Sequence, residues 1–198
     1  MALSLYIKLR SYQAVFNGKR ERNQAITKTA LIIDIGGGST ELVLANPDKL
    51  IACASLPLGC VSYSQRFFPN QSSSAITFEQ ALHKLRAELI PFRDIYSSHN
   101  WQQGIGTAGT SLAIESVLKA KGWSDDGINR EGLERLADIL CQSDNVEALQ
   151  LPGLSEERFD IVTAGVAIML AIFQVFEIEH LETSSDSLRE GLIYSLRA

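Results

Sequence analysis

The stretch LIIDIGGGSTELVL, residues 31–44, limits what this chain can fold into more than any other part of its sequence. Its apolar runs, LII and LVL, are typical of buried strands. Between them stand three glycines and two hydroxyl residues, with Asp34 just before this turn and Glu41 just after it. Strands joined by so short a connection pair antiparallel. The stretch therefore predicts a hairpin whose glycine-rich turn lies between two carboxylates.

A glycine-rich turn lets several backbone N–H groups converge on a point that larger side chains would block. Such a group of amides binds anions, most often phosphate. Asp34 and Glu41 would repel a phosphate unless a cation that prefers oxygen ligands, such as Mg²⁺, lies between them and the anion. The alternative is a tight hairpin in which the glycines serve the turn alone. The predicted phosphate-binding residues of this turn are Gly36, Gly37, Gly38, Ser39 and Thr40.

A second glycine-rich stretch, GIGTAGTSLAI at 104–114, matches the dinucleotide fingerprint G-x-G-x-x-G. The surroundings that this fingerprint needs are missing, because the preceding strand is short and polar and no second strand ending in an acid follows. We interpret the stretch as a second phosphate-facing loop at the N-terminus of a helix, where amides and the helix dipole favour an anion. A capped helix without a ligand is the alternative. The predicted phosphate-binding residues here are Gly106, Thr107, Ala108, Gly109 and Thr110.

The remaining apolar patterns alternate between strands and helices, which predicts an α/β fold. Short connections make the first three strands an antiparallel meander. The most apolar stretch, 161–176, is shorter than the ~20 residues that a membrane-spanning helix needs, so it predicts a central core helix. Predicted strands cover 30–34, 40–45, 50–56, 101–105 and 180–183, and predicted helices cover 59–67, Thr77 to about Ile95, 108–121, 130–140, 158–176 and 186–196.

Charge and the spacing of cysteine and histidine argue against a nucleic-acid-binding arm and against a zinc site. The net charge is −5, yet residues 1–30 hold six Lys or Arg and only one acid, Glu21. We interpret this segment as a solvated helix and linker rather than a nucleic-acid-binding arm. The three cysteines form no C-x-x-C pair and the three histidines are far apart, which predicts free thiols in a reducing cytoplasm and no zinc site.

Five stretches, in order, resemble the second lobe of the Ppx/GppA family of exopolyphosphatases and guanosine pentaphosphate phosphohydrolases. They are DIGGGSTELVL, LPLGCVSYSQRFFP, GTAGT, LPGLSEERFDIVTAGVAIMLAIF and SDSLREGLIYSL. The family belongs to the actin-like ATPase, sugar kinase and Hsp70 superfamily, so the resemblance implies a ribonuclease H-like lobe: a mixed sheet with an antiparallel meander, flanked by helices. We expect residues 30–198 to form this second-lobe domain, after a basic segment at 1–29 that is a remnant of the region between the lobes.

The resemblance also implies a chemistry. In the family, water attacks the terminal phosphorus of polyphosphate or pppGpp, and Mg²⁺ and amide donors spread the charge of the transition state. The turn at 36–40 is then the phosphate loop and 106–110 the second such loop. Asp34 lies near the metal and Glu41 close to the reacting phosphate, which makes both acids implied catalytic and metal-binding residues. In SLREG, Arg189 and Glu190 match a family signature for which we expect a structural role.

Two parts of the family pattern are missing from this sequence: the first lobe with its D-x-G-S-N loop, and the G-E-E-A-R stretch that supplies the general base. We therefore expect the chain to be inactive or weakly active without a first lobe, which becomes its implied partner. A non-catalytic domain that senses a nucleotide or phosphate stays open, as does a kinase-like phosphoryl transferase of the same superfamily. A second copy of the chain also stays open as a partner, whereas we expect neither nucleic acid nor membrane binding.

Overall fold

The computed structural model describes residues 27–143 and 145–185, which contain one mixed sheet. Its strands are β1 (Ala30–Ile35), β2 (Thr40–Ala45), β3 (Leu50–Leu56), β4 (Gln103–Thr107), β5 (Ile128–Asn129) and β6 (His180–Thr183). Their order in the sheet is β3-β2-β1-β4-β6-β5. β1 pairs antiparallel with β2, and β2 with β3, so the predicted meander is confirmed. β4 lies parallel to β1 at the centre of the sheet.

The helices of the described residues are α1 (Cys60–Phe67), α2 (Ala75–Leu89), α3 (Arg93–Tyr96), α4 (Ala108–Ala120), α5 (Arg130–Leu140) and α6 (Val162–Phe176). Every residue of α6 except Gln174 is buried, which confirms the predicted core helix. None of the helices in the described ranges is long and apolar enough to cross a membrane. The predicted helix 186–196, with Arg189 and Glu190, lies outside the described residues, as does most of the basic segment 1–29.

The observed bounds of α2 differ from the predicted ones for local reasons. The helix begins at Ala75 because Ser74 caps it: the Ser74 hydroxyl accepts from the amide of Thr77 at 3.2 Å, and the Thr77 hydroxyl accepts from the amide of Ser74 at 2.9 Å. This reciprocal pair satisfies two amides that would otherwise lack partners. The helix ends at Leu89, just before Pro91, because proline has no N–H to continue the hydrogen-bond ladder.

β4 and α6, by contrast, begin later than predicted. β4 starts at Gln103, because Trp101 lies outside the strand and donates its Nε1–H to the carbonyl of Tyr96 at 2.9 Å. α6 starts at Val162, because a separate turn of 3-10 helix, Glu156–Arg158, precedes it. These shifts matter for the site, since both segments carry residues to the edge of the sheet at which the glycine loops lie.

The alternation of side chains along β1 assigns each residue to one face of the sheet. Leu31 and Ile33 belong to the large core that includes α6, whereas Ile32 belongs to a smaller core on the opposite face. Asp34 is two residues after Ile32 in the same strand, so its side chain points to the same face as that of Ile32. Its carboxylate therefore lies on the smaller-core face, at the carboxyl end of β1.

Glu115 on α4 joins three separate parts of the chain. Its carboxylate accepts hydrogen bonds from the amide of Gly127 at 3.0 Å, from Lys119 Nζ at 2.9 Å and from the hydroxyl of Thr183 in β6. Burial alone would raise the pKa of Glu115, but the hydrogen bonds from Thr183, Lys119 and Gly127 together hold it below its ordinary value of 4.5. The ionised carboxylate therefore stabilises the folded state.

We expect Glu115→Gln to lower the free energy of unfolding at pH 7 by about 1–3 kcal/mol, because hydrogen bonds to a charged acceptor are lost. Since the folded-state pKa of Glu115 lies below the unfolded value, this contribution is present above the unfolded pKa and is lost as the pH falls through the folded pKa. In urea unfolding, the gap between wild type and variant should shrink between pH 7 and about pH 3. Glu131→Gln removes a carboxylate that is 76% exposed and should cost little. An equal gap at both pH values would contradict the role of Glu115.

Candidate phosphate and metal site

Both glycine-rich loops leave the sheet at the same edge. β1 and β4 are parallel neighbours, and Asp34 on β1 is the Cα partner of Thr107 on β4. Loops that follow parallel strands emerge at the carboxyl ends of those strands, so the two loops meet there. They are joined directly, because the Thr110 hydroxyl donates to the carbonyl of Ile35 at 3.0 Å. In open α/β sheets this edge is where ligands bind.

Four polar side chains form a row across the sheet at this edge. Ser55 on β3 is the Cα partner of Glu41 on β2, and Glu41 is that of Asp34 on β1. Asp34 pairs in turn with Thr107. Directly opposed residues point to one face, so all four lie on the smaller-core face. Asp34 and Glu41 as whole residues are only 7% and 9% exposed, so the structure brings the two predicted acids together in a largely buried position.

The N-terminus of α1 holds the first loop in place. The amide of Cys60 donates to the carbonyl of Gly36 at 3.0 Å. The amide of Val61 donates to the carbonyl of Gly37 at 2.9 Å. The amides of Gly37 and Gly38, by contrast, donate no hydrogen bond to another residue in the described ranges, and Gly38 is exposed. These two amides are the donors with which this loop can meet an anion.

The hydroxyl groups of the three loop threonines are buried and bond to backbone carbonyls. Thr40 donates to Leu58 at 2.5 Å, Thr107 to Ile33 at 3.4 Å and Thr110 to Ile35 at 3.0 Å. Each of these hydroxyl groups thereby anchors its loop to a neighbouring segment. Ser39 likewise donates its hydroxyl to Glu41 Oε1 at 2.8 Å. The donors of the first loop that have no partner in the described ranges are therefore the backbone amides of Gly37 and Gly38.

The second loop enters α4 without a side chain that caps the helix. The amides of the first turn, including those of Ala108 and Gly109, have no acceptor within the helix, and the helix dipole adds a partial positive charge. Ala108 has a φ of 63°, in the left-handed region that non-glycine residues rarely adopt. Backbone strain of this kind clusters at functional sites. The left-handed residue Ala108 stands where the chain passes from β4 into α4, next to Thr107, which pairs with Asp34.

We expect Ala108→Gly to raise the free energy of unfolding by about 1 kcal/mol, because glycine adopts the left-handed conformation without the cost that Ala108 bears. Urea unfolding of wild type and variant measures this change. Ala113→Gly, in the right-handed part of the same helix, is the matched control and should lower the free energy by about 1 kcal/mol. If both substitutions lowered it equally, the strain at Ala108 would be refuted.

Arg158 is a site residue that the sequence pattern does not reveal. It lies in the turn before α6, and a Cβ placed on Gly109 would be 1.9 Å from its Nη2, so the guanidinium lies directly against the second loop. The Arg158 side chain is 28% exposed, and its Nε lies 4.0 Å from Glu157. Guanidinium groups pair well with phosphate oxygens, so Arg158 adds positive charge where α4 begins. In SEERFD it looks like an ordinary surface residue, and only the fold brings it to Gly109.

The two acids of the site could supply some of the ligands of a Mg²⁺ ion, with other groups supplying the rest. No group of three or more His, Cys, Asp or Glu gathers at one point in residues 27–143 and 145–185. Asp34 and Glu41 are directly opposed across β1 and β2, with both carboxylates on one face. Mg²⁺ is commonly bound by one or two carboxylates together with waters and substrate phosphates. The pair therefore suits a magnesium ion that arrives with a phosphate ligand.

Comparison with protein families and curated proteins gives matches over most of the chain. The model of the Ppx/GppA phosphatase family matches residues 10–198. A Vibrio vulnificus protein named guanosine-5'-triphosphate,3'-diphosphate pyrophosphatase is 35% identical over 166 residues, which are 84% of this chain and 33% of that protein. A Vibrio parahaemolyticus protein of the same name is 33% identical with the same coverage. The chain thus spans about a third of the length of these relatives.

Solved structures show the same fold. A Ppx/GppA family member from Aquifex aeolicus superimposes with a TM-score of 0.77 at 20% identity, covering 96% of this chain and 61% of that one. An exopolyphosphatase from Cytophaga hutchinsonii gives a TM-score of 0.74 at 21% identity, covering 94% and 62%. The predicted α/β lobe, with its mixed sheet, antiparallel meander and flanking helices, is confirmed.

Proposed function

The chain belongs to the Ppx/GppA phosphatase family, and we propose that it forms the phosphate-binding lobe of a phosphoanhydride hydrolase. Its substrate would be the terminal phosphate of inorganic polyphosphate or of pppGpp. The names of the Vibrio relatives support a guanosine polyphosphate, and the Cytophaga neighbour is an exopolyphosphatase. Both substrates end in a phosphoanhydride, so one site suits either.

The observation that carries this proposal is the arrangement at the carboxyl ends of β1 and β4. Two loops rich in available amides meet there, beside a pair of buried carboxylates and one guanidinium group. Amides and a guanidinium bind phosphate oxygens, whereas carboxylates do so only through a cation. A turn that served the hairpin alone would explain neither the second loop nor the two acids.

Each group then has a task in hydrolysis. The amides of Gly37 and Gly38 hold oxygens of the terminal phosphate, and the N-terminus of α4 with Arg158 holds the phosphates that leave. Asp34 and Glu41 would hold Mg²⁺, which when bound neutralises charge on the phosphate oxygens. Glu41 would also orient the attacking water. Water forms a bond to phosphorus, and the bridging anhydride oxygen departs with its electron pair while a base takes the proton of the water.

The opposite side of the cleft and the general base belong to another part of the full-length protein in this proposal. In residues 27–143 and 145–185, Asp34 and Glu41 belong to no group of three or more His, Cys, Asp or Glu that could hold a metal ion. The chain covers 61% of the Aquifex family member, which leaves room in that fold for a facing lobe. We propose that hydrolysis, as opposed to binding, needs such a lobe.

The test is phosphate release from tripolyphosphate and from pppGpp with Mg²⁺. It compares the chain alone, a separately expressed first lobe that carries the G-E-E-A-R segment, and their mixture. Release is expected from the mixture and not from either part alone, and Glu41→Gln in the mixture should abolish it. Glu131→Gln, an exposed acid on α5, should release phosphate as wild type does.

Two results would change the proposal. A mixture that binds tripolyphosphate without releasing phosphate would identify a domain that senses phosphate without turnover. Release by the chain alone that disappears in Glu41→Gln would make this lobe an enzyme in its own right.

A further inference from the structure

Two hydroxyl groups hold the carboxylate of Glu41. Ser39 Oγ donates to Glu41 Oε1 at 2.8 Å, and Ser55 Oγ donates to the same oxygen at 2.9 Å. The first donor lies in the glycine loop and the second on the edge strand β3. Strand β3 lies outside both predicted phosphate loops, so Ser55 is an addition to the site that the loops alone do not suggest.

The two donors differ in what else they can do. A serine hydroxyl has one proton, so Ser39 can donate it to Glu41 or to a phosphate in the loop, but not to both. Ser39 follows Gly38, whose amide is one of the donors that can meet an anion. A phosphate bound in the loop therefore competes with Glu41 for the Ser39 hydroxyl. When a phosphate oxygen accepts the hydrogen bond of the Ser39 hydroxyl, one of the two hydrogen bonds to Glu41 Oε1 is lost.

Ser55 is placed independently of the loop. It is the Cα partner of Glu41 in the antiparallel pairing of β3 with β2, and this pairing runs from Leu50 to Leu56. Side chains on paired strands are held more precisely than those on loops. A phosphate that rearranges the loop would leave the bond from Ser55 to Glu41 in place.

We infer that Ser55 is the positioning residue of Glu41, which keeps this carboxylate oriented when bound phosphate draws the hydroxyl of Ser39 away. The inference rests on the proposed function, since it assigns a partner to the acid that this function uses. It predicts that either serine can hold Glu41 when no phosphate is bound, and that loss of Ser55 matters more with phosphate than without it.

Binding of Mn²⁺, followed by electron paramagnetic resonance with and without tripolyphosphate, tests this. Mn²⁺ takes the same oxygen ligands as Mg²⁺. Without tripolyphosphate, Ser55→Ala should change the affinity little, whereas the double variant Ser39→Ala/Ser55→Ala should weaken it about 10-fold, as loss of a partner that orients a metal ligand does. With tripolyphosphate, Ser55→Ala alone should weaken Mn²⁺ binding about 10-fold. Ser55→Thr keeps the hydroxyl group, so its Mn²⁺ affinity with tripolyphosphate should equal that of wild type.

Ser55 is exposed, so its substitution should leave unfolding unchanged. Ser64→Ala is the control, because the Ser64 hydroxyl is buried without a hydrogen-bond partner among the described residues and its loss should leave Mn²⁺ binding unchanged. Equal affinity of wild type and Ser55→Ala in tripolyphosphate would overturn the inference. So would an equal loss with and without tripolyphosphate, which indicates a fixed contact. Wild type that binds neither Mn²⁺ nor tripolyphosphate would overturn the proposed function itself, a separate outcome.

Discussion

Gly59→Ala should abolish phosphate binding and lower the free energy of unfolding by about 2–4 kcal/mol. Gly59 precedes α1 with φ −122° and ψ 145°, a conformation that any residue adopts, so its requirement is one of space. A Cβ at this position would lie 2.2 Å from the carbonyl oxygen of Gly37 and 2.4 Å from the Cα of Gly38. These are backbone atoms and cannot rotate aside. The loop would have to leave α1, which breaks the hydrogen bonds that Cys60 and Val61 donate to it.

Urea unfolding and titration with tripolyphosphate measure the two effects of Gly59→Ala. Gly38→Ala is the control for stability, because a Cβ on Gly38 meets no atom within 4 Å and should leave the free energy of unfolding nearly unchanged. Should Gly59→Ala be as stable as Gly38→Ala and bind tripolyphosphate as wild type does, the docking of the loop on α1 would have no part in the site.

Elements that depend on neighbouring residues are predicted closely from the sequence. The patterns at 40–45, 50–56, 130–140 and 180–183 coincide with β2, β3, α5 and β6. For α5 the reason is local, since Asn129 caps the helix by accepting from the amide of Gly132 at 2.7 Å. The turn after β2 is local as well, because the Asn46 side chain accepts from the amides of Asp48 and Lys49.

The contacts that complete the site join residues distant in the sequence, and local patterns do not contain them. Arg158 reaches Gly109 because the turn before α6 lies against the start of α4. Gly59 stands outside the glycine-rich motif, yet it has less room than Gly38 within it. Hydroxyl residues beside a phosphate loop suggest donors to the phosphate, but Thr40 is buried and bonded to Leu58. Only the packed structure shows which polar groups are already in use.

The role of Asp34 predicts the other large effect. Asp34 and Glu41 are buried, opposed and on one face, so a phosphate can approach them only if a cation offsets their charge. Asp34→Asn keeps the size of the side chain and removes one charge and one metal ligand. The neutral side chain of this variant should leave intact the weak binding of phosphate by the backbone amides of the loop. The gain in affinity that Mg²⁺ provides should disappear.

The most direct test of a magnesium-dependent phosphate site is the affinity for tripolyphosphate, measured by isothermal titration with and without Mg²⁺. Wild type should bind about 10- to 100-fold more tightly with Mg²⁺, in line with the effects of altering metal coordination. Asp34→Asn should bind equally well in both conditions. Asp48→Asn, which removes the same charge from an exposed turn, should behave as wild type. If Asp34→Asn retained the full response to Mg²⁺, the two acids would not form the metal site, and phosphate binding would not depend on magnesium at this position.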